Sequence, residues 1–431
     1  DKMKKEADIE LENHFLKVVF DENGGGFPTR IYVNFPDGFH IVTMKKKPSL
    51  EILLGDGRRG CPRLPRSFKP ERYSLKDCEQ IQFDRLPFFD QNGVEMEKLF
   101  LSLRYEFWND GTVFTNSFFI CENYGADFSV KGYKFEFDLD LSEFERIDIP
   151  YGVSADLTNS VNASGVTDSE YNGIRNVFNF NCRRADGIGG YFELFMEKAN
   201  SLARVESGCG TSLAWHGKKV SIIWDFQKIE ASRNRNFEWA ELNAWGFLFR
   251  AAPEKRRNPP LRMYHLIDYY ENRMPSLRSL ELMAEAGADV IILHEQWRSD
   301  PVNFAFPWNR NTLRNFIEAA HKHGIRIVLY IRGHQEITTI EECCNWFGMY
   351  LKKDFDGLYA DFGGATNTTD IHFRQHYLKY RRIREMIGPH GLFYAHCGGL
   401  FSGVGLTPEL VDGYTAGEGE EGALSKNRFM H

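Results

Sequence analysis

The chain has 431 residues, 42% hydrophobic and 14% aromatic, enough to bury a large core in more than one domain, which excludes a disordered protein. Its formal net charge of -7 offers no basic surface to a polyanion and excludes nucleic acid as a natural partner, leaving a neutral ligand as the better fit. No run reaches the ~18 apolar residues of a membrane helix, and Asp1 to Glu10 is too charged to be a secretory signal.

From Leu11 to Arg250, short runs rich in Phe, Tyr, Val and Ile recur, among them residues 15–20, 30–33, 112–120 and 220–224. They are punctuated by Gly24-Gly25-Gly26, Pro36-Asp37-Gly38 and Asn109-Asp110-Gly111. Period-two apolar runs separated by turn formers predict an antiparallel β-sandwich. Around Ala251 to Pro260 the composition shifts to a charged, proline-bearing stretch that favours neither strand nor helix, so a β-sandwich domain is expected over 1–255 and a second domain over 256–431.

The second domain alternates. Strands are predicted over Met263–Asp268, Val290–His294, Arg326–Arg332, Gly357–Asp361, Leu392–His396 and Val411–Thr415. Helical patterns lie between them at Ser276–Ala286, Asn311–Lys322, Ile340–Lys352 and Asp370–Met386. Nearly all-apolar strands separated by helices indicate a parallel sheet covered on both faces. The fold expected is multi-domain: an antiparallel β-sandwich followed by a (β/α)8 TIM-type barrel of which about six β/α units are visible, an open doubly wound sheet being the alternative. The chain then reads as a fragment, with two units lost, disordered or carried elsewhere.

In a barrel the chemistry sits past the C-terminal ends of the strands. Tyr359-Ala360-Asp361-Phe362-Gly363-Gly364 follows strand four, and Tyr414-Thr415-Ala416-Gly417-Glu418 follows strand six. Cleaving a glycosidic bond takes one carboxylate at the anomeric carbon and one carboxylic acid at the leaving oxygen, about 5 to 5.5 Å apart in a retaining enzyme. Asp361 is the nucleophile or stabiliser in this reading and Glu418 the general acid/base, its pKa raised by Glu420 and Glu421. Within that acidic run Glu420 or Glu421 is the rival acid. Taken singly, each carboxylate is equally well explained as a turn former or a solvated loop residue; position at the strand ends favours catalysis.

The other strand ends suit a sugar pocket. Asp268, His294, Glu295, Arg332, His396, Cys397 and Glu420 are candidate substrate-binding groups, and Trp297 and Trp308 candidate stacking faces, with burial in the core the rival role for each Trp. His294, His334, His396 and Asp361 would make a hydrolytic metal set, but none of these histidines stands in an HxH or HExxH spacing, and His321 and His323 share no helix face suited to chelation, so neither metal nor cofactor is called for. His265 and His323 read as ordinary core and helix-end residues. The eight cysteines show no CxxC pair and read as small buried hydrophobes.

The second half resembles the barrel of the alpha-galactosidase-like glycoside hydrolases, whose larger members carry a β-sandwich ahead of it. The resemblance rests on Tyr359-Ala360-Asp361, where that superfamily has its nucleophile, on Cys397-Gly398-Gly399, where it has a Cys and glycine-rich turn, and on Glu418, where it has its acid. Two departures leave the sugar open: His294-Glu295-Gln296-Trp297 replaces an Asp before Gly-Trp, and the sixth-strand acid is Glu, not Asp. What the resemblance implies is a hydrolase of oligosaccharides or polysaccharides. A substrate-assisted variant would have Asp361 orient an N-acetyl group. A non-catalytic glycan-binding protein on a decayed barrel and a metal-dependent hydrolase are the rival classes.

Overall fold

The computed structural model describes residues 8–45, 49–122, 130–144, 146–149, 153–155, 162–166, 177–184, 186, 189–196, 210–216, 218–226, 229, 232–233, 237–251, 261–266, 274–294, 297, 309–332, 355–361, 373–396 and 410–415. The chain divides into two compact units, one of Asp1–Ala252 with Thr369–Ile371, the other of Pro253–Thr368 with His372–His431. Among the described residues the protein is mostly β, with few helices.

The first unit is antiparallel throughout. Ile9–Glu12, Leu16–Phe20, Arg30–Phe35 and Gly38–Met44 form a four-stranded sheet in chain order. The remaining strands join a 16-stranded sheet. Alternation drives both: Arg30–Phe35 buries every second residue, and so does most of Val130–Asp140. The large sheet curls. Trp245, on Phe237–Ala251, lies 4.9 Å from Phe135 on Val130–Asp140, although six pairings separate those strands along the sheet. One apolar core results, in which Phe20 of the small sheet packs on Phe83 and Tyr105 of the large one at 5.1 and 5.0 Å.

Gly26 closes the Gly-Gly-Gly turn with φ +85 and with its carbonyl accepting the buried Tyr105 hydroxyl at 2.9 Å. A Cβ there would overlap Leu86 Cδ1 and sit 2.8 Å from Leu103 Cδ1. Strain and overpacking therefore act together, and Gly26→Ala is expected to cost about 3 kcal/mol in urea unfolding.

At one edge of the same unit, His40 lies between two carboxylates. Its Nδ1 meets Glu143 and its Nε2 is 2.9 Å from Asp37, whose oxygens also accept both Arg184 guanidinium nitrogens at 2.7 Å. Arg184 pairs in addition with Asp186 at 3.0 Å. The Arg184 fork, then His40, holds the Asp37 carboxyl well below the usual carboxylate range. Burial pulls the His40 imidazole down, but Glu143 and Asp37 outweigh burial and the Arg184 charge, and the net shift is upward. A raised His pKa contributes stability that is complete below the unfolded-state value and fades as pH rises through the folded one. The thermal midpoint is therefore expected to drop as pH rises from the ordinary imidazole range through the raised His40 value, and to be flatter over that rise in His40→Asn.

The second unit holds a six-stranded parallel sheet: β1 (Met263–Leu266), β2 (Val290–Leu293), β3 (Arg326–Arg332), β4 (Gly357–Asp361), β5 (Leu392–His396) and β6 (Gly413–Thr415). The strands are ordered as they occur in the chain. A doubly wound sheet reverses its order at a switch point; this one does not. No pairing joins β1 to β6 among the described residues, so the structure supports a parallel α/β sheet, short of a closed barrel.

Three helices are described, α1 (Leu277–Glu285), α2 (Arg310–Lys322) and α3 (Phe373–Ile387). Ser276 and Asn309 cap the first two, each side chain accepting a backbone N–H three residues on at 3.0 Å. His323 is the C-cap of α2, its N–H donating to Ala320 O at 3.0 Å, in keeping with the helix-end role expected of it. The helix α3 buries Tyr380 edge-on against Phe393 of β5, ring centroids 5.0 Å apart. The predicted helix Ile340–Lys352 lies outside the described residues.

The N-terminal end of this sheet carries a repeated fastening. Asp289, Asp356 and Asp412 stand immediately before β2, β4 and β6. Each donates its backbone N–H to a residue in or just before the preceding strand and accepts an N–H from the same residue with its carboxylate: Arg262 at 2.9 and 2.8 Å, Ile327 at 2.8 and 2.6 Å, Phe393 at 2.7 and 2.8 Å. The third is reinforced by Arg384 of α3, which donates to Asp412 Oδ2 at 2.7 Å and to the carbonyls of Leu410, Gly391 and Gly388 at 2.7, 2.8 and 3.2 Å.

Candidate functional site

Parallel strands in register present their C-terminal ends together. Tyr330 of β3 pairs with Tyr359 of β4, Tyr359 with Tyr394 of β5, and Tyr394 with Gly413 of β6. All three tyrosines belong to a buried cluster with Val290, Ile292, Val328 and Leu392. Because strand side chains alternate, this row forms one face of the sheet, opposite the face on which Phe393 meets α3. Gly413 leaves room at its end: a Cβ there would press at 3.2 Å on the Tyr394 ring. Burial first, and the nearby Asp412 charge second, push the Tyr394 hydroxyl up to about 12, so near neutral pH it is a phenol able to donate a hydrogen bond and unable to serve as a base.

Two histidines join the row. His294, immediately after β2, is 2% exposed and its backbone N–H donates to Leu266 O at 3.3 Å. Its ring lies 3.5 Å from that of Tyr330 and 5.1 Å from that of His265, which in turn stands 4.8 Å from Tyr359. His265 occupies a row that is otherwise apolar, register-paired with Ile292, which is paired with Val328. Sequence reading took it for an ordinary core histidine. Only the register places it beside His294 and the tyrosine row, and the pairing of β1 with β2 is not a signal that the sequence carries.

Trp297 is buried, 3% exposed, and its indole N–H donates to Tyr330 O at 3.2 Å. It therefore sits in the core, bracing the end of β3, and does not present an open ring face for stacking; the rival role stated for it is the one its burial fits.

Two residues beyond the tyrosine row the sequence changes from aromatic to polar, with Arg332 after Tyr330, Asp361 after Tyr359 and His396 after Tyr394. The backbones of Arg332 and Asp361 are register partners, as are those of His396 and Thr415. The side chains of Arg332, Asp361 and His396 lie outside the described residues, as do Asp268, Glu295, Trp308, His334, Cys397, Glu418, Glu420 and Glu421. Among the described residues no three His, Cys, Asp or Glu side chains gather into a metal-binding group. No described helix is long and apolar enough to cross a membrane.

No family model matches the chain, and no curated protein does. Among solved structures, a galactose mutarotase-like protein from Clostridium acetobutylicum overlaps 57% of this chain and 95% of its own at 8% identity, with a TM-score of 0.32. A family 39 glycoside hydrolase from Bacteroides cellulosilyticus overlaps 48% of this chain and 49% of its own at 14% identity and TM-score 0.25. Phospho-2-dehydro-3-deoxyheptonate aldolase from Thermotoga maritima overlaps 51% and 65% at 8% identity and TM-score 0.21. The chain thus spans about half the length of the glycoside hydrolase. Overlaps at these scores do not establish a shared family.

Proposed function

We propose that the second unit is a glycoside hydrolase of the alpha-galactosidase-like kind, built on a barrel-type sheet over 256–431 and acting by two carboxylates, Asp361 and Glu418. The observation that carries this reading is the in-register step from a buried tyrosine row to a polar row containing Asp361, at the C-terminal edge of a sequentially ordered parallel sheet. That edge is where enzymes on such sheets bind and react. Charged and polar residues such as those following the tyrosines along the chain are the kind that hold the hydroxyls of a neutral sugar.

In this mechanism Asp361 attacks the anomeric carbon while Glu418 gives its proton to the departing oxygen. Water then hydrolyses the glycosyl-enzyme, with Glu418 returned to the role of base. Arg332, the register neighbour of Asp361, is assigned to keep that carboxylate ionised. His294 and His396 are assigned to hydroxyl binding, as are Asp268, Glu295, Cys397 and Glu420, with Trp308 as the stacking ring. Trp297 is left in a positioning role, through its bond to the Tyr330 carbonyl.

The test is turnover of a panel of α- and β-linked aryl glycosides and their N-acetylated counterparts by the full chain. Release of the aryl alcohol from at least one, with a covalent glycosyl adduct trapped on Asp361 by a 2-fluoro sugar, is the expected result. Saturable sugar binding without hydrolysis of any member of the panel would replace the enzyme with a lectin-like protein.

A further inference from the structure

The first unit contains a cleft of about 620 Å³ that owes nothing to the parallel sheet. It lies within the range of roughly 300–1,000 Å³ typical of small-molecule sites. Its walls come from the strands Leu50–Leu54, Arg59–Pro62 and Cys78–Asp90 and from the turn at Glu22-Asn23. Three arginines and three carboxylates line it, and most are already committed. Arg59 pairs with Glu51 at 2.7 Å and Arg66 with Glu22 at 2.6 Å, while Asp90 accepts the backbone N–H groups of Asn92 and Val94 at 2.9 and 2.8 Å.

Arg63 differs. Among the described residues it makes no ion pair, and the central carbon of its guanidinium stands over the Phe89 ring, 4.4 Å from the centroid. A guanidinium braced by a ring and not taken up by an ion pair has its N–H fork left to receive a carboxylate in bidentate fashion. The two exposed ion pairs beside it are individually weak and offer donors and acceptors at one spot, which suits hydroxyls able both to give and to take a hydrogen bond. The amides of Asn23 and Gln91 add more of the same. A polyanion is disfavoured by Glu22, Glu51 and Asp90; a ligand with one carboxylate per several hydroxyls is not.

We propose that this cleft binds a saccharide bearing a carboxylate, a hexuronate unit within an oligosaccharide, with the carboxylate on Arg63 and the hydroxyls on the Arg59–Glu51 pair. The site is independent of the catalytic reading of the second unit. It is tested on the full chain with digalacturonate as probe, by calorimetric titration and by the rate at which iodoacetamide alkylates Cys61, a cleft residue, followed by peptide mass spectrometry. The expected results are saturable binding, slowed alkylation of Cys61, and at least tenfold weaker binding by Arg63→Gln and by Arg63→Lys, the latter keeping the charge but losing the fork. Equal affinity for cellobiose, or displacement of digalacturonate by equimolar acetate, overturns the proposal. So does unchanged binding by Arg63→Gln, or binding that leaves Cys61 alkylation untouched and hence occurs elsewhere. Arg63 is exposed, so an unaltered thermal midpoint in both variants is expected and separates loss of the site from loss of the fold.

Discussion

Asp361→Asn is expected to lower turnover roughly 10⁴-fold on every glycoside the protein cleaves, because removing a nucleophile takes away a bond made only along the reaction path. Glu418→Gln behaves differently. Its loss, about 10²- to 10⁴-fold on alkyl glycosides, shrinks on aryl glycosides whose leaving group departs without a proton. Azide restores the Asp361→Asn reaction through a glycosyl azide of inverted configuration relative to the normal product, and that product is read by NMR. Parallel Glu420→Gln and Glu421→Gln variants identify the acid within the run: the one whose defect depends on the leaving group holds the role. Near wild-type rates in both Asp361→Asn and Glu418→Gln would remove the proposed mechanism altogether.

The second large effect concerns the fold. Arg384 and Asp412 are each only 14% exposed and are joined to each other, to three carbonyls and to the Phe393 N–H. Deleting either partner leaves a largely buried charge without its counterion, at a cost of about 3 kcal/mol. Arg384→Ala and Asp412→Ala should therefore each raise the exchange rate of the Phe393 amide about 100-fold in native-state hydrogen exchange, a local measure that does not require the two units to unfold together. The double variant should cost little more than either single one, since both remove the same network. Additive effects, or single effects under about 1 kcal/mol, would show that the guanidinium serves only as a surface charge.

The parallel sheet was readable because its signals are local. Val290-Ile291-Ile292-Leu293 and Arg326 to Arg332 are apolar runs of strand length, Ser276 precedes a helical apolar stripe, and the observed strands and described helices start or stop within about three residues of the predicted ones. The curl of the large antiparallel sheet was not readable, since Phe135 and Trp245 meet across more than a hundred residues and nothing in either strand names its partner. The aspartate fastenings were missed for a related reason. An Asp before a strand reads as a turn former, and only the register shows that its carboxylate takes the neighbouring strand's N–H. The tyrosine row was half legible: the aromatic setting of Asp361 was noted from Tyr359, whereas its alignment with Tyr330 and Tyr394 is a property of pairing.

Those fastenings tie β1 to β2, β3 to β4 and β5 to β6, so the smallest piece of sheet that carries a complete one is a pair of neighbouring strands. A chimera with a related sheet would keep all of them if the crossover fell between pairs, and would lose one if it fell inside a pair. The same aspartates also reach forward through their carbonyls, Asp289 O taking the Arg326 N–H at 3.0 Å and Asp356 O the Leu392 N–H at 2.8 Å, so a crossover between pairs would spare the carboxylate bonds and sever these.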